Sequence, residues 1–88
     1  AHMQLRLYRL VPTQGSETFI AARSPDHAAE IYVTHEVAKD RRLSDFSIER
    51  VDQTLAGEQQ LGLNDMLEHG VAGIARFDPL LGWGAMPL

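Results

Sequence analysis

Eighty-eight residues with a mass of 9.8 kDa fit one compact module, and 44% hydrophobic against 23% charged residues is ordinary globular composition. The chain has no cysteine, which excludes a disulfide framework, a thiolate zinc site and a cysteine nucleophile. Twelve acidic against eight basic residues give a formal charge of −4, which disfavours a phosphate-binding footprint spread over the whole surface.

Ala1-His2-Met3 reads as a cloning remnant ending in the start methionine, so a single α+β domain is expected over residues 4–88. Leu5, Leu7 and Val11 fall on one side of a first strand, Arg6, Tyr8 and Leu10 on the other, and both sides are partly covered. Pro12 to Ser16 is turn chemistry. Glu17 to Arg23 then reads as a second strand, with Phe19 and Ala21 alternating against Thr18, Ile20 and Ala22, in an antiparallel hairpin with the first.

Ser24-Pro25-Asp26-His27 is the strongest local signal. Ser24 supplies an N-cap oxygen, Pro25 at the first helical position loses no needed donor, and Asp26 faces the positive end of the helix dipole. The helix is expected to reach about Lys39, with Ala28, Ile31, Tyr32, His35 and Ala38 on its inner face and Lys39, Arg41 and Arg42 at its negative end.

Leu43 to Gln53 fits a third strand, and the change of parity between Ile48 and Val51 suggests a bulge. Thr54 to Gln60 reads as a loop. Asn64 is positioned to cap a short second helix that packs Leu67 inward and ends at Gly70. Val71 to Phe77 and Trp83 to Leu88 read as the last two strands, joined through Asp78-Pro79-Leu80-Leu81-Gly82. The order β-β-α-β-α-β-β predicts an α+β domain, a mostly antiparallel sheet of about five strands with one main and one short helix on one face.

Catalytic and cofactor motifs are missing. His35-Glu36 would begin an H-E-x-x-H zinc motif, but its second histidine is replaced by Lys39. His27 and His35 are offset by about 80° on an ideal helix and lie more than two turns apart, so they do not share a metal. Gly82-Trp83-Gly84 lacks the rest of a dinucleotide-binding fingerprint, and no G-x-S-x-G elbow surrounds Ser16, Ser24, Ser44 or Ser47. No catalytic, cofactor-binding or metal-ligating residue is therefore assigned, and no cofactor is expected.

Three groups of residues remain as candidate binding surfaces. Arg6, Arg9 and Arg23, beside Tyr8 and Phe19, would meet phosphates and stack on bases, unless the arginines pair across strands with Glu49 or Asp52. Asp26, Glu30, Glu36 and Asp40, continued by Asp45, Glu49 and Asp52, would steer a basic partner, or form an ordinary solvated helix face. The third group is the segment from Pro79 to Leu88, which carries no charge but holds Leu80, Leu81, Trp83, Met86 and Leu88. Trp83 and Met86 would serve equally well as an interface anchor or as this domain's own core, whereas leucines at a hairpin tip point to a contact with another chain.

The run Thr18-Phe19-Ile20-Ala21-Ala22-Arg23-Ser24-Pro25-Asp26-His27-Ala28-Ala29-Glu30-Ile31 is similar to a strand-to-helix passage in many small α/β modules. In size, acidity and lack of catalytic motif the chain resembles phage and plasmid accessory proteins of the anti-CRISPR inhibitor type. The resemblance implies a stoichiometric binder that blocks or adapts a larger machine, and it assigns no residue a role. The leading expectation is thus a cytoplasmic, non-enzymatic protein-interaction module, homodimeric, with a protein partner and no membrane association. Its partner-binding residues are Leu80, Leu81, Trp83 and Met86, with Asp26, Glu30, Glu36 and Asp40 steering. The alternatives are weak nucleic-acid binding through Arg6, Tyr8, Arg9 and Arg23, and a small enzyme whose site forms between subunits around His35 or His69.

Overall fold

The computed structural model describes residues 5–13, 16–39, 45–55 and 57–86. Asp40, Arg41, Arg42, Leu43, Ser44, Leu88 and the first four residues, which entered the expectations above, lie outside the described residues. The elements run β1 (Arg6–Pro12), β2 (Thr18–Ala22), α1 (Pro25–Ala38), β3 (Phe46–Arg50), a 3₁₀ turn (Gly57–Gln60), α2 (Leu63–His69), β4 (Gly73–Asp78) and β5 (Gly82–Met86). The five strands form one sheet in the order β3-β1-β2-β4-β5, antiparallel at every pairing. The expected α+β architecture is the one observed.

The two helices lie on opposite faces rather than together on one. Leu7 and Tyr8 are consecutive in β1 and both buried, so both faces of the central strand need cover. On one face Tyr8, Leu10, Ile20, Ala22 and Ile74 pack against Ala28, Ile31 and Tyr32 of α1. On the other, Leu5, Leu7, Ala21, Ala75 and Trp83 pack against Leu63, Met66 and Leu67 of α2. Each helix lies in one of the two long crossovers: α1 carries the chain from β2 past β1 to β3, and α2 returns it from β3 past β1 and β2 to β4.

Local chemistry accounts for α1. Ser24 Oγ accepts the His27 backbone N–H at 3.1 Å, Pro25 opens the helix and Asp26 sits in its first turn. The buried face comprises Ala28, Ile31, Tyr32 and Glu36, while His35 is half-buried and Ala38 is exposed at the helix end. In β3 the pairing with β1 is regular from Phe46 to Arg50, so no bulge is present. Ile48 joins the α1-side core and Val51 the α2-side core, as strict alternation requires.

Asn64 does not cap α2. The cap position is Gly62, in the left-handed region at φ 74°, with no side-chain capping bond. The helix ends at Gly70 as the sequence suggests, and the Gly70 N–H donates to the Met66 carbonyl at 2.9 Å. Where a loop was expected before it, Gly57 to Gln60 form one 3₁₀ turn.

Candidate interaction surface

The β4–β5 hairpin is built around its loop. Asp78 Oδ1 accepts the backbone N–H groups of Leu80 and Leu81 at 2.7 and 3.1 Å, an Asx turn that fixes the tip. Gly82 follows at φ 88°, where a side chain would be strained. A Cβ there would also lie 2.4 Å from the Leu61 carbonyl oxygen, so the hairpin base is pressed against the turn that leads into α2. The Trp83 N–H donates to that same Leu61 carbonyl at 2.9 Å, and Trp83 Nε1–H donates to the Gln59 carbonyl.

Trp83 belongs to the domain's own core. It is 9% exposed and makes an edge contact with Phe19, ring centroids 5.3 Å apart, and a tilted contact with Phe77 at 5.4 Å. Of the two roles open to it from sequence, this is the core one. The other large apolar residues of the segment behave differently. Leu80 is 89% exposed, Leu81 83% and Met86 54%, so the tip leucines stand almost wholly in solvent on a braced hairpin.

The helices are offset across the sheet. α1 packs on β1, β2, β3 and β4, and α2 packs on β5 from the opposite face. The α1 face of β5 is therefore left open. There Gly84 lies opposite Arg76 and Met86 opposite Ile74 in the register. A shallow groove of about 440 Å³ runs along this face, lined by Arg76, Asp78, Leu81, Gly84 and Met86 among others.

The acidic group is only partly available. Asp26 and Glu30 are exposed on α1, but Glu36 is 7% exposed, turned toward the core and partnered. The arginine group does not form one surface. Arg6 and Tyr8 lie on the α1 face of β1 and Arg9 on the other face. Tyr8 is 2% exposed beneath α1 and offers no ring face to a base. Arg9 donates to Glu17, and more distantly to Glu49 at 3.5 Å, the cross-strand pairing that competes with a phosphate-binding role. The Glu17 hydrogen bond raises the Arg9 pKa above its ordinary value, despite the opposing effect of desolvation. Arg23 is exposed in the turn before α1, where its backbone N–H donates to His27 Nδ1 at 3.2 Å.

The histidines are dispersed. His35, half-buried and partnered, borders a notch with Glu17, Thr18 and Arg76, whereas His69 is exposed at the end of α2, 3.7 Å from Glu68. Among the described residues no three His, Asp or Glu side chains converge as a metal site would require. Sequence reasoning missed the part played by Leu61 and Gly62, which brace the hairpin from 20 residues away. The only signal for it was the pair of glycines flanking two turns.

No protein family model matches this chain, and no match is found among the curated proteins or the solved structures.

Proposed function

We propose that this chain is a non-enzymatic protein-interaction module that acts by occlusion. The braced hairpin tip inserts Leu80 and Leu81 into an apolar recess of a larger protein. The observation that carries this reading is the near-complete exposure of two adjacent leucines, 89% and 83%, on a tip held by Asp78 and Gly82. Fully burying a leucine side chain is worth about 1.5–3 kcal/mol, so the pair supplies roughly 3–6 kcal/mol of contact energy. A pre-organised loop reduces the ordering cost that normally offsets such a gain. Asp26 and Glu30, on a domain of net charge −4, favour approach to a basic partner surface. The resemblance in size and acidity to phage and plasmid accessory proteins agrees with an inhibitor or adaptor role in the cytoplasm.

The test is capture of partners from cells that express the protein, comparing the wild-type chain with Leu80→Asp/Leu81→Asp. Both side chains lie outside the core, so the variant is expected to keep its circular dichroism and its unfolding midpoint. Loss of the captured protein with the fold retained supports the proposal. Undiminished capture by the variant, or no capture by the wild type, refutes it.

A further inference from the structure

β3 and β5 are the two edges of the sheet, and they are finished differently. At β5 the outward Trp83 N–H is closed off by the Leu61 carbonyl at 2.9 Å. β3 has no such cover among the described residues. The Thr13 N–H donates to the Asp45 carbonyl and the Val51 N–H to the Leu7 carbonyl, so the odd-numbered residues of β3 turn their backbone toward β1. Backbone direction alternates along an antiparallel strand, and Phe46, Ile48 and Arg50 therefore aim N–H and C=O off the edge. A proline, a bulge or an unpaired charge normally guards such an edge, and β3 has none of them. Its pairing with β1 is regular, Glu49 is held by Arg9 at 3.5 Å, and Arg50 is held by Asp52 at 2.8 and 3.0 Å. Phe46 and Ile48 remain half-buried.

We propose that β3 pairs antiparallel with β3 of a second copy, joining the two sheets into one. The strand is complementary to itself. With Ile48 opposite the partner's Ile48, Phe46 lies opposite the partner's Arg50, and each of these outward pairs exchanges two backbone hydrogen bonds. The Arg50 stem then lies along the partner's Phe46 ring. On the other face Ser47 lies opposite the partner's Glu49, a hydroxyl beside a carboxylate. A shift of two residues one way sets Glu49 against the partner's Glu49, and a shift the other way sets Ser47 against the partner's Ser47. Either shift also leaves an end of the five-residue ladder unpaired. One register thus keeps the whole ladder with no like charges opposed, a match that an unrelated strand would make only by chance.

The helices leave room for this contact. α1 is centred over β1 and β2, against Tyr8, Leu10, Ile20 and Ala22, and α2 packs on β5 at the far side. The twofold axis runs perpendicular to the sheet, between the two β3 strands. At ~4.8 Å per strand the two α1 helices stand roughly 20 Å apart, against ~10–12 Å for a helix diameter, so they do not collide. A five-residue strand spans ~17 Å, so each copy contributes less than the ~800 Å² of a standard interface and the dimer is weak and reversible. Leu80 and Leu81 stand toward the opposite edge and stay free.

Sedimentation velocity from about 5 to 500 µM measures the association, and a concentration-dependent dimer is expected. Ser47→Glu should raise Kd about fivefold, because it opposes carboxylates twice, and Ser47→Lys should lower Kd by a similar factor. Ser47 is exposed, so both variants are expected to fold as the wild type does. The same two substitutions at Asn64, exposed on α2, should leave Kd unchanged. Amide exchange followed by NMR reads the edge itself. Phe46, Ile48 and Arg50 should become protected as concentration rises, whereas Ser47 and Glu49, bonded to β1, stay protected throughout. A chain that stays monomeric, shifts of the same sign from the two Ser47 variants, equal effects at positions 47 and 64, or a dimer with unprotected edge amides overturns the proposal. None of these variants touches the hairpin tip, so capture through Leu80 and Leu81 is decided separately.

Discussion

Gly82 and Gly84 lie two residues apart in β5, and replacing each by alanine should move stability in opposite directions. At Gly82, φ is 88° and the new Cβ would sit 2.4 Å from the Leu61 carbonyl oxygen. Holding alanine in the left-handed region costs about 1–2 kcal/mol. Relieving the clash also displaces the Leu61–Gly62 turn, which accepts the Trp83 N–H at 2.9 Å, and a lost hydrogen bond adds about 1 kcal/mol. The total is roughly 2–3 kcal/mol, a large share of the ~4–13 kcal/mol expected for a chain of this length. At Gly84 no atom of the described residues beyond its chain neighbours stands within 4 Å of the new methyl, and removing the entropic cost of glycine should stabilise the protomer by about 0.5–1 kcal/mol. Urea unfolding at about 1 µM reads both changes as shifts of midpoint with an unchanged slope. Equal destabilisation by the two substitutions would refute the reasoning, because it would mean that Gly84 is crowded within its own protomer.

Other substitutions test the core and the caps. Trp83→Ala should cost about 3–5 kcal/mol in urea unfolding, since the ring is buried against Phe19 and Phe77; a loss under about 1 kcal/mol would place the indole outside the core. Tyr8→Phe should be neutral or stabilise by about 1 kcal/mol, because the buried Tyr8 hydroxyl has no hydrogen-bond partner among the described residues. A clear loss of stability in Tyr8→Phe would show that the hydroxyl is bonded. Ser24→Ala should cost about 1 kcal/mol and lower the helical signal, through loss of the bond to the His27 N–H. Arg9→Ala should leave the urea midpoint nearly unchanged, with any difference shrinking at high salt, since its pairs with Glu17 and Glu49 are solvent-exposed.

The parts of the fold that were legible in sequence are those with local causes. Ser24-Pro25-Asp26 announces α1 because capping chemistry acts within one turn, and the alternation through Leu7 and Tyr8 shows a strand covered on both sides. Alternation does not say which element supplies the cover, so the expectation of both helices on one face has no local support, and each helix covers its own face. Asn64 was a reasonable cap by composition. The structure gives that position to Gly62 because the Leu61–Gly62 turn must meet Gly82, a contact between segments 20 residues apart. By charge Glu36 joins the acidic row of α1, whereas its spacing of four from Tyr32 and eight from Ala28 puts it on the buried face. Trp83 and the tip leucines share one uncharged segment, and core and interface draw on the same residue types. The contacts of Trp83 with Phe19 and Phe77, and its bonds to Gln59 and Leu61, separate the buried ring from its exposed neighbours.

The most direct measurement of where this protein makes contact is photocrosslinking in living cells, from a benzophenone side chain replacing Leu81 in one variant and Arg9 in another. A protein adduct is expected from position 81 and none from position 9. Adducts with protein or nucleic acid from position 9, and none from position 81, would contradict this expectation.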